Sequence, residues 1–246
     1  MSESESPRVF WVAGVGASAG LGAALARRFA QAGYVAVVTG RTRERLEKVA
    51  AEIRESGGQA VSIAADIGKE DQVVAAAQKV GELGRLEAAA FNAGNFSAAP
   101  SLELRAADFE EAWRINTLGG FLFGREALRG LAQHGRGSLL ITGATASLRG
   151  KPPFGAFAAA KAGLRSVAQT FAREFGPRGV HVAHVVIDGV IDGERARRGA
   201  PDRAAQLGQD GLLDPDAIAE VYYQLHQQPR NAWTHELDLR PYKEAF

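Results

Sequence analysis

Gly14-Val-Gly16-Ala-Ser18-Ala19-Gly20-Leu21-Gly22 follows a short apolar run and precedes a helical one. Glycine lets a backbone turn sharply and approach a bulky anion closely. The start of a helix adds unpaired N–H groups and a partial positive charge. In that order, strand then glycines then helix, these residues suit a pyrophosphate. A second candidate is Arg41, in Thr39-Gly40-Arg41-Thr42-Arg43. Its guanidinium fork matches phosphate geometry and the Thr42 hydroxyl can add a bond. The plainer reading is that Arg41 and Arg43 open a solvated helix. A third candidate is Lys161, four residues after Phe157 and so on the same side of a helix. With no cysteine in the chain, disulfides, thiolate metal sites and a catalytic thiol are excluded. His181, His184, His226 and His235 are too scattered to suggest a metal.

These groups need elements to hold them. Apolar runs of strand length occur at 8–13, 34–39, 60–64, 86–91, 138–142, 180–187 and 236–239. Helical periodicity fills 21–31, 42–56, 69–82, 107–131, 154–175 and 214–226. Such alternation predicts right-handed crossovers and a parallel sheet covered on both faces. No linker or repeat interrupts it, so 8–246 is expected to be one α/β domain. Residues 1–7 read as a disordered tail, and 192–210, the least patterned stretch, as a mobile loop over the substrate.

The spacing Gly16-x-x-x-Gly20-x-Gly22 resembles the classical short-chain dehydrogenase/reductase family. Asp66-Ile67 after the third strand, Asn92-Ala93-Gly94 after the fourth, Asn116 in the fourth helix and Lys161 follow in the family's order. The resemblance runs from Val9 to about Ile191. It implies a single Rossmann-like, doubly wound domain with seven parallel strands. It also implies an oxidoreductase acting on a small molecule, commonly a homodimer or homotetramer built through the fourth and fifth helices. By the same resemblance Gly16, Ser18, Ala19, Gly20, Leu21 and Gly22 surround the cofactor pyrophosphate. Asp66 and Ile67 meet the adenine, Asn92, Ala93 and Gly94 line the bed, and Gly189 and Ile191 border the nicotinamide. Family members that use NAD(H) end the second strand with an acidic residue. Arg41 stands there instead, and the expected cofactor is NADP(H).

The resemblance breaks where the chemistry is done. The family reduces a carbonyl with a Tyr-x-x-x-Lys pair and a serine thirteen positions before the tyrosine. Here the helix reads Phe157-Ala-Ala-Ala-Lys161, and the serine position is Ala144. Phenylalanine has no proton to give and alanine no donor. General-acid help is worth about 10²–10⁴ in rate and one oxyanion donor about 10²–10³. Phe157 shares a stripe with Phe154, Leu164, Phe171 and Phe175 and is expected to be a packed apolar residue. Thr145 and Ser147 lie just past the lost serine; Thr145 could orient a substrate or a water, and both could equally make ordinary loop bonds. Asn116 matches the family asparagine that bends a helix and holds a water, through which Lys161 could relay a proton. Asp188, in Ile187-Asp188-Gly189, replaces a family proline near the nicotinamide. It could serve as an acid or bind a cationic substrate, or only close an Asx turn.

Two readings remain open from the sequence. One is an NADPH-dependent reductase of an imine, iminium or conjugated enoyl substrate, none of which needs a phenol. The other is a non-catalytic NADP(H)-binding sensor or subunit. The 29 basic and 28 acidic residues leave a net charge of +1, which gives no field for nucleic acid. No apolar run reaches the roughly 18 residues of a membrane span. The first residues lack the basic and apolar segments of a signal peptide, and a cytoplasmic location is expected.

Overall fold

The computed structural model describes residues 6–199, 208 and 210–244. Seven parallel strands form one sheet: β1 Arg8–Ala13, β2 Val35–Gly40, β3 Gln59–Ala64, β4 Arg85–Phe91, β5 Ser138–Thr142, β6 His181–Ile187 and β7 Glu236–Leu239. Their order is β3-β2-β1-β4-β5-β6-β7, so the direction of winding reverses between β1 and β4. In a doubly wound sheet the crevice at that reversal, outside the carboxyl ends of the strands, is where a ligand binds.

Alternation along β1 shows how the sequence builds two cores. Phe10 and Val12 face one side of the sheet, where α1 Leu21–Gln31, α2 Arg43–Glu55 and α8 Pro215–His226 contribute Leu25, Leu46 and Tyr222. Val9, Trp11 and Ala13 face the other. There α3 Glu70–Leu83, α5 Gly119–Gln133 and α6 Gly155–Phe175 supply Val73, Phe123 and Leu164. Strands buried on both faces read as unbroken apolar runs, and for that reason their lengths were legible in the sequence.

Three expectations need correction. Pro7 is not part of a free tail: its carbonyl accepts from the Arg85 N–H at 2.8 Å, while residues 1–5 lie outside the described residues. The single helix expected over 107–131 is divided into α4 Ala106–Trp113, a π-helical segment Arg114–Leu118, and α5. Asn116 accounts for the break, because its Nδ2 donates to the Ala112 carbonyl at 2.9 Å and occupies an acceptor of the helical ladder. The ladder resumes one residue late, with the Gly119 N–H on the Arg114 carbonyl. Within 192–210, a short helix α7 Glu194–Gly199 follows a bridge between Ile191 and Leu213. Asp192 pairs there with Arg197 at 2.8 Å, so the beginning of this stretch is ordered; 200–207 and 209 lie outside the described residues.

Candidate active site

The glycine turn lies at the carboxyl end of β1. Gly14 has a φ of 91°, and its N–H donates to the Thr39 carbonyl at 2.9 Å. A Cβ on Gly14 would strike the backbone of Ala93, and one on Gly22 would come 2.7 Å from the Gly14 carbonyl. These two glycines draw the turn, α1 and the Asn92-Ala93-Gly94 loop together. Gly16 differs: a Cβ there meets nothing within 4 Å, so the turn leaves an open floor. Gly20 caps α1 without a side-chain bond, and no acidic residue lies in the first turn, which contains Leu21 and Gly22. The positive end of the helix is therefore not neutralised. Ala19 is exposed beside it, whereas the Ser18 hydroxyl is turned away and donates to Glu52 at 2.9 Å.

Arg41 and Thr42 are exposed at the end of β2. Asp66, at the end of β3, accepts the Gly68 N–H at 3.0 Å on one oxygen and holds the other 3.9 Å from Arg114. Ile67 next to it is buried. Asn92 Nδ2 donates to the Gly14 carbonyl at 3.1 Å and ties the β4 loop to the glycine turn.

Lys161 is buried on α6, and its Nζ donates to the Thr142 carbonyl at 2.9 Å. Burial pulls its pKa down to about 8. A Cβ on Gly94 would lie 3.1 Å from Asn116 Oδ1 and 3.7 Å from Lys161 Nζ, so both groups border the space beside this exposed glycine. Asn116 spends its amide protons on the Ala112 and Asn95 carbonyls, and its Oδ1 is buried with no partner. An orphaned oxygen next to an ammonium and below an open glycine fits a ligand hydroxyl, which can donate to the first and accept from the second. The open floor at Gly16 and the uncapped α1 fit a phosphate group equally well. The residues present thus match the two parts of a nicotinamide dinucleotide that most need protein contacts.

Phe157 is packed as expected, but outside both cores of the sheet. It is half-buried, with its ring centroid 5.3 Å from that of Phe96 and 5.8 Å from Lys161 Nζ. Phe96 also meets Phe154 at 5.2 Å and is 47% exposed, so the three rings form an apolar wall above the lysine. Ala144 gives its N–H to the Ser147 hydroxyl at 3.1 Å, an ordinary loop bond.

Asp188 also departs from its expected role. Its Oδ1 accepts a short hydrogen bond from Thr145 Oγ1, and its Oδ2 lies 2.8 Å from Arg240. The carboxylate is buried and already neutralised, which leaves no charge for a cationic substrate. It orients Thr145 instead. The cause is sheet register: Ile187 pairs with Leu239, so the next residues of the two parallel strands, Asp188 and Arg240, fall side by side. Gly189 has a φ of 151° and lies against Pro241, while Ile191 is held by its bridge to Leu213.

Spacing gave no sign of several residues that position this site. Besides Arg240 and Phe96 there is Tyr222 on α8, whose hydroxyl is 2.8 Å from Thr142 Oγ1. Thr142 in turn donates to Asn92 Oδ1 at 3.4 Å. A buried tyrosine in an apolar helical stripe looks like core filling, and its polar tip found a partner only once α8 was laid across β5.

Comparison with known proteins agrees with this geometry. The family model for short chain dehydrogenases matches residues 11–202. The chain is 39% identical to a short-chain dehydrogenase from Rhodopseudomonas palustris, whose structure it resembles with a TM-score of 0.81 over 96% of this chain and 100% of that one. An alcohol dehydrogenase from the archaeon Thermococcus sibiricus, complexed with 5-hydroxy-NADP, is 27% identical with a TM-score of 0.80, covering 96% of this chain and 98% of that one. Versicolorin reductase stcU of Emericella nidulans is 34% identical over 72% of this chain and 67% of its own length. The chain spans 64% to 67% of the first curated relatives it matches. With its family model, relatives named as dehydrogenases and reductases, and a seven-stranded sheet carrying Lys161 and Asn116 at one point, the chain belongs to the short-chain dehydrogenase family of oxidoreductases.

Proposed function

We propose that this protein is an NADPH-dependent reductase whose substrate needs no phenolic proton, a conjugated enoyl compound or an imine. The observation that carries this reading is the Phe157 ring 5.8 Å from Lys161 Nζ, together with alanine at position 144, where the resemblance calls for a hydroxyl. NADPH, when bound, supplies a hydride. Gly16, Gly20, Leu21 and Gly22 hold its pyrophosphate, and Arg41 with Thr42 holds the 2′-phosphate. Lys161 and Asn116 bind the nicotinamide ribose, and Asp66 and Ile67 flank the adenine. Preference for the phosphorylated cofactor rests on Arg41, exposed at the end of β2 where an acidic side chain would repel that phosphate.

Phe96, Phe154 and Phe157 exclude water and give an apolar substrate a flat surface. Thr145, oriented by Asp188, is the hydroxyl left to position a polar group of the substrate. An enoyl compound suits this site better than a cationic iminium, because the Lys161 ammonium lies beneath the same wall. An enoyl compound can also take its proton at carbon from water after reduction. The Lys161 ammonium can hold a water over Asn116 Oδ1 for that purpose.

The test is a panel of ketones, imines and enones with NADPH, read by loss of the reduced nicotinamide absorbance. Turnover of enones or imines, lost in Lys161→Met together with NADPH affinity, is the expected result. No turnover of any class with tight NADPH binding would favour a sensor or subunit. Unchanged affinity and rate in Lys161→Met would remove Lys161 from the site.

A further inference from the structure

At the opposite edge of the sheet, where the strands begin, there is a second polar site. A depression of about 270 Å³ opens between the starts of β1, β4 and β6 and the end of α8. It adjoins another of about 380 Å³, and the two share Arg230 and Trp233. The strands run in parallel for about 20 Å, so this edge is separate from the cofactor bed.

Its charge is unbalanced. The acidic group lining it is Glu87, which is buried and bound by Arg85 and, at 2.6 Å, by Arg136. Among the described residues lining the depression, arginines outnumber this one carboxylate. Arg8 gives its protons to neutral acceptors, the Ala32 carbonyl at 2.9 Å and the Tyr34 hydroxyl at 3.5 Å. Arg230 donates to the Gly135 carbonyl at 2.6 Å. Arg178 lines the adjoining depression, with its guanidinium over the Phe175 ring. Three guanidinium groups, those of Arg8, Arg136 and Arg230, therefore line the first depression, whose buried carboxylate is already paired, and Arg178 lines the one beside it. Each retains donors beyond the bonds named, in the fork geometry that fits an oxyanion. Trp233, stacked on His181 with centroids 5.0 Å apart, forms a rigid wall between the two lobes.

We propose that this amino-edge hollow binds a small, multiply charged oxyanion, held by Arg8, Arg136 and Arg230. The proposal does not depend on the reductase reading, since the site shares no residue with the cofactor bed.

Titration calorimetry with inorganic phosphate and with citrate tests it on the full chain at constant ionic strength. The two probes separate a phosphoryl from a carboxylate source. At least one should bind wild type saturably, and the Arg136→Gln, Arg230→Gln double variant, which removes two charge-assisted contacts, should bind it at least roughly tenfold more weakly. NADPH affinity should not change, which shows that the variant is folded. Arg230→Gln alone, at an exposed position, serves if the double variant is unstable. The proposal is overturned if neither probe binds, or if binding persists in the variant. It is also overturned if Arg41→Ala abolishes binding, since the anion would then lie in the cofactor bed.

Discussion

In the reading proposed above, two side chains set this site apart, and both act by what they lack. If Phe157 and Ala144 occupy the positions of the family's proton donor and oxyanion donor, wild type should turn over a plain ketone poorly. The Phe157→Tyr, Ala144→Ser double variant should gain ketone reduction by about 10²-fold or more, measured under saturating NADPH. Rapid ketone turnover by wild type would mean that another donor reaches the substrate. In the same reading Arg41 sets the choice of cofactor. Arg41→Ala should lose about 1.5–3 kcal/mol of NADPH binding while leaving NADH almost unaffected, because only NADPH carries the 2′-phosphate that the guanidinium would hold. Equal calorimetric affinities of wild type for both cofactors would refute that assignment. The same residues show how a count along the chain can locate a missing group without revealing its replacement: Phe96, which completes the apolar wall, lies far from Phe157 in sequence.

Elements carry the site through a few long-range ties. The π-helical turn at Arg114–Leu118 exists because Asn116 bonds back to Ala112, and its Oδ1 is left buried without a partner beneath Gly94. β7 is fastened to α6 and β6 by Glu236, which accepts Arg165 at 2.6 and 2.7 Å and lies 2.9 Å from His184 Nδ1. Hydrogen bonding from Arg165, opposed by burial and aided by His184, holds the Glu236 pKa down to about 2. Burial lowers that of His184. Both shifts have the same sign for acid stability. The unfolded chain takes up a proton at its ordinary histidine pKa before the folded one does, so stability begins to fall below about pH 6.5. It falls further as pH drops through the window from the ordinary carboxylate pKa of 4.5 to about 2, where Glu236 is protonated. The Glu236 part is at most roughly 3 kcal/mol. Urea unfolding of wild type and Arg165→Gln at pH 7 and pH 3.5 checks this. The difference between the two proteins should shrink at the lower pH, and a difference independent of pH would exclude the ion pair as its source.

For the molecule as a whole, assembly is the main expectation still to be tested. Phe109, Trp113 and Phe121, on α4 and α5, are 42%, 46% and 38% exposed, and both segments belong to the stretch expected as the fourth helix, one of the two expected to carry association. Apolar rings grouped on one surface favour burial against another copy. Sedimentation velocity at micromolar protein should therefore show a dimer or tetramer, and Trp113→Glu should shift it toward monomer. A wild-type monomer under those conditions would show that the surface has another use. No helix among the described residues is long and apolar enough to cross a membrane.

The sequence alone determined the seven-stranded sheet, its helices and the cofactor edge, because each depends on local pattern. Strands buried on both faces must be continuously apolar, helices show their period, and a turn such as that at Gly14 admits no side chain. It also places Phe157 and Ala144 at a fixed count from Lys161, which is what the proposed reading rests on. Only the tertiary structure decided the roles of Asp188, Thr145, Tyr222 and the arginines at the amino edge. The β6–β7 register puts Arg240 beside Asp188 and turns a candidate acid into a structural ion pair. Packing of α8 brings Tyr222 to Thr142, and the alignment of strand starts gathers Arg8, Arg136 and Arg230 around one hollow. Such contacts join residues far apart in the chain, and their partners are fixed by register and packing, which no local pattern encodes.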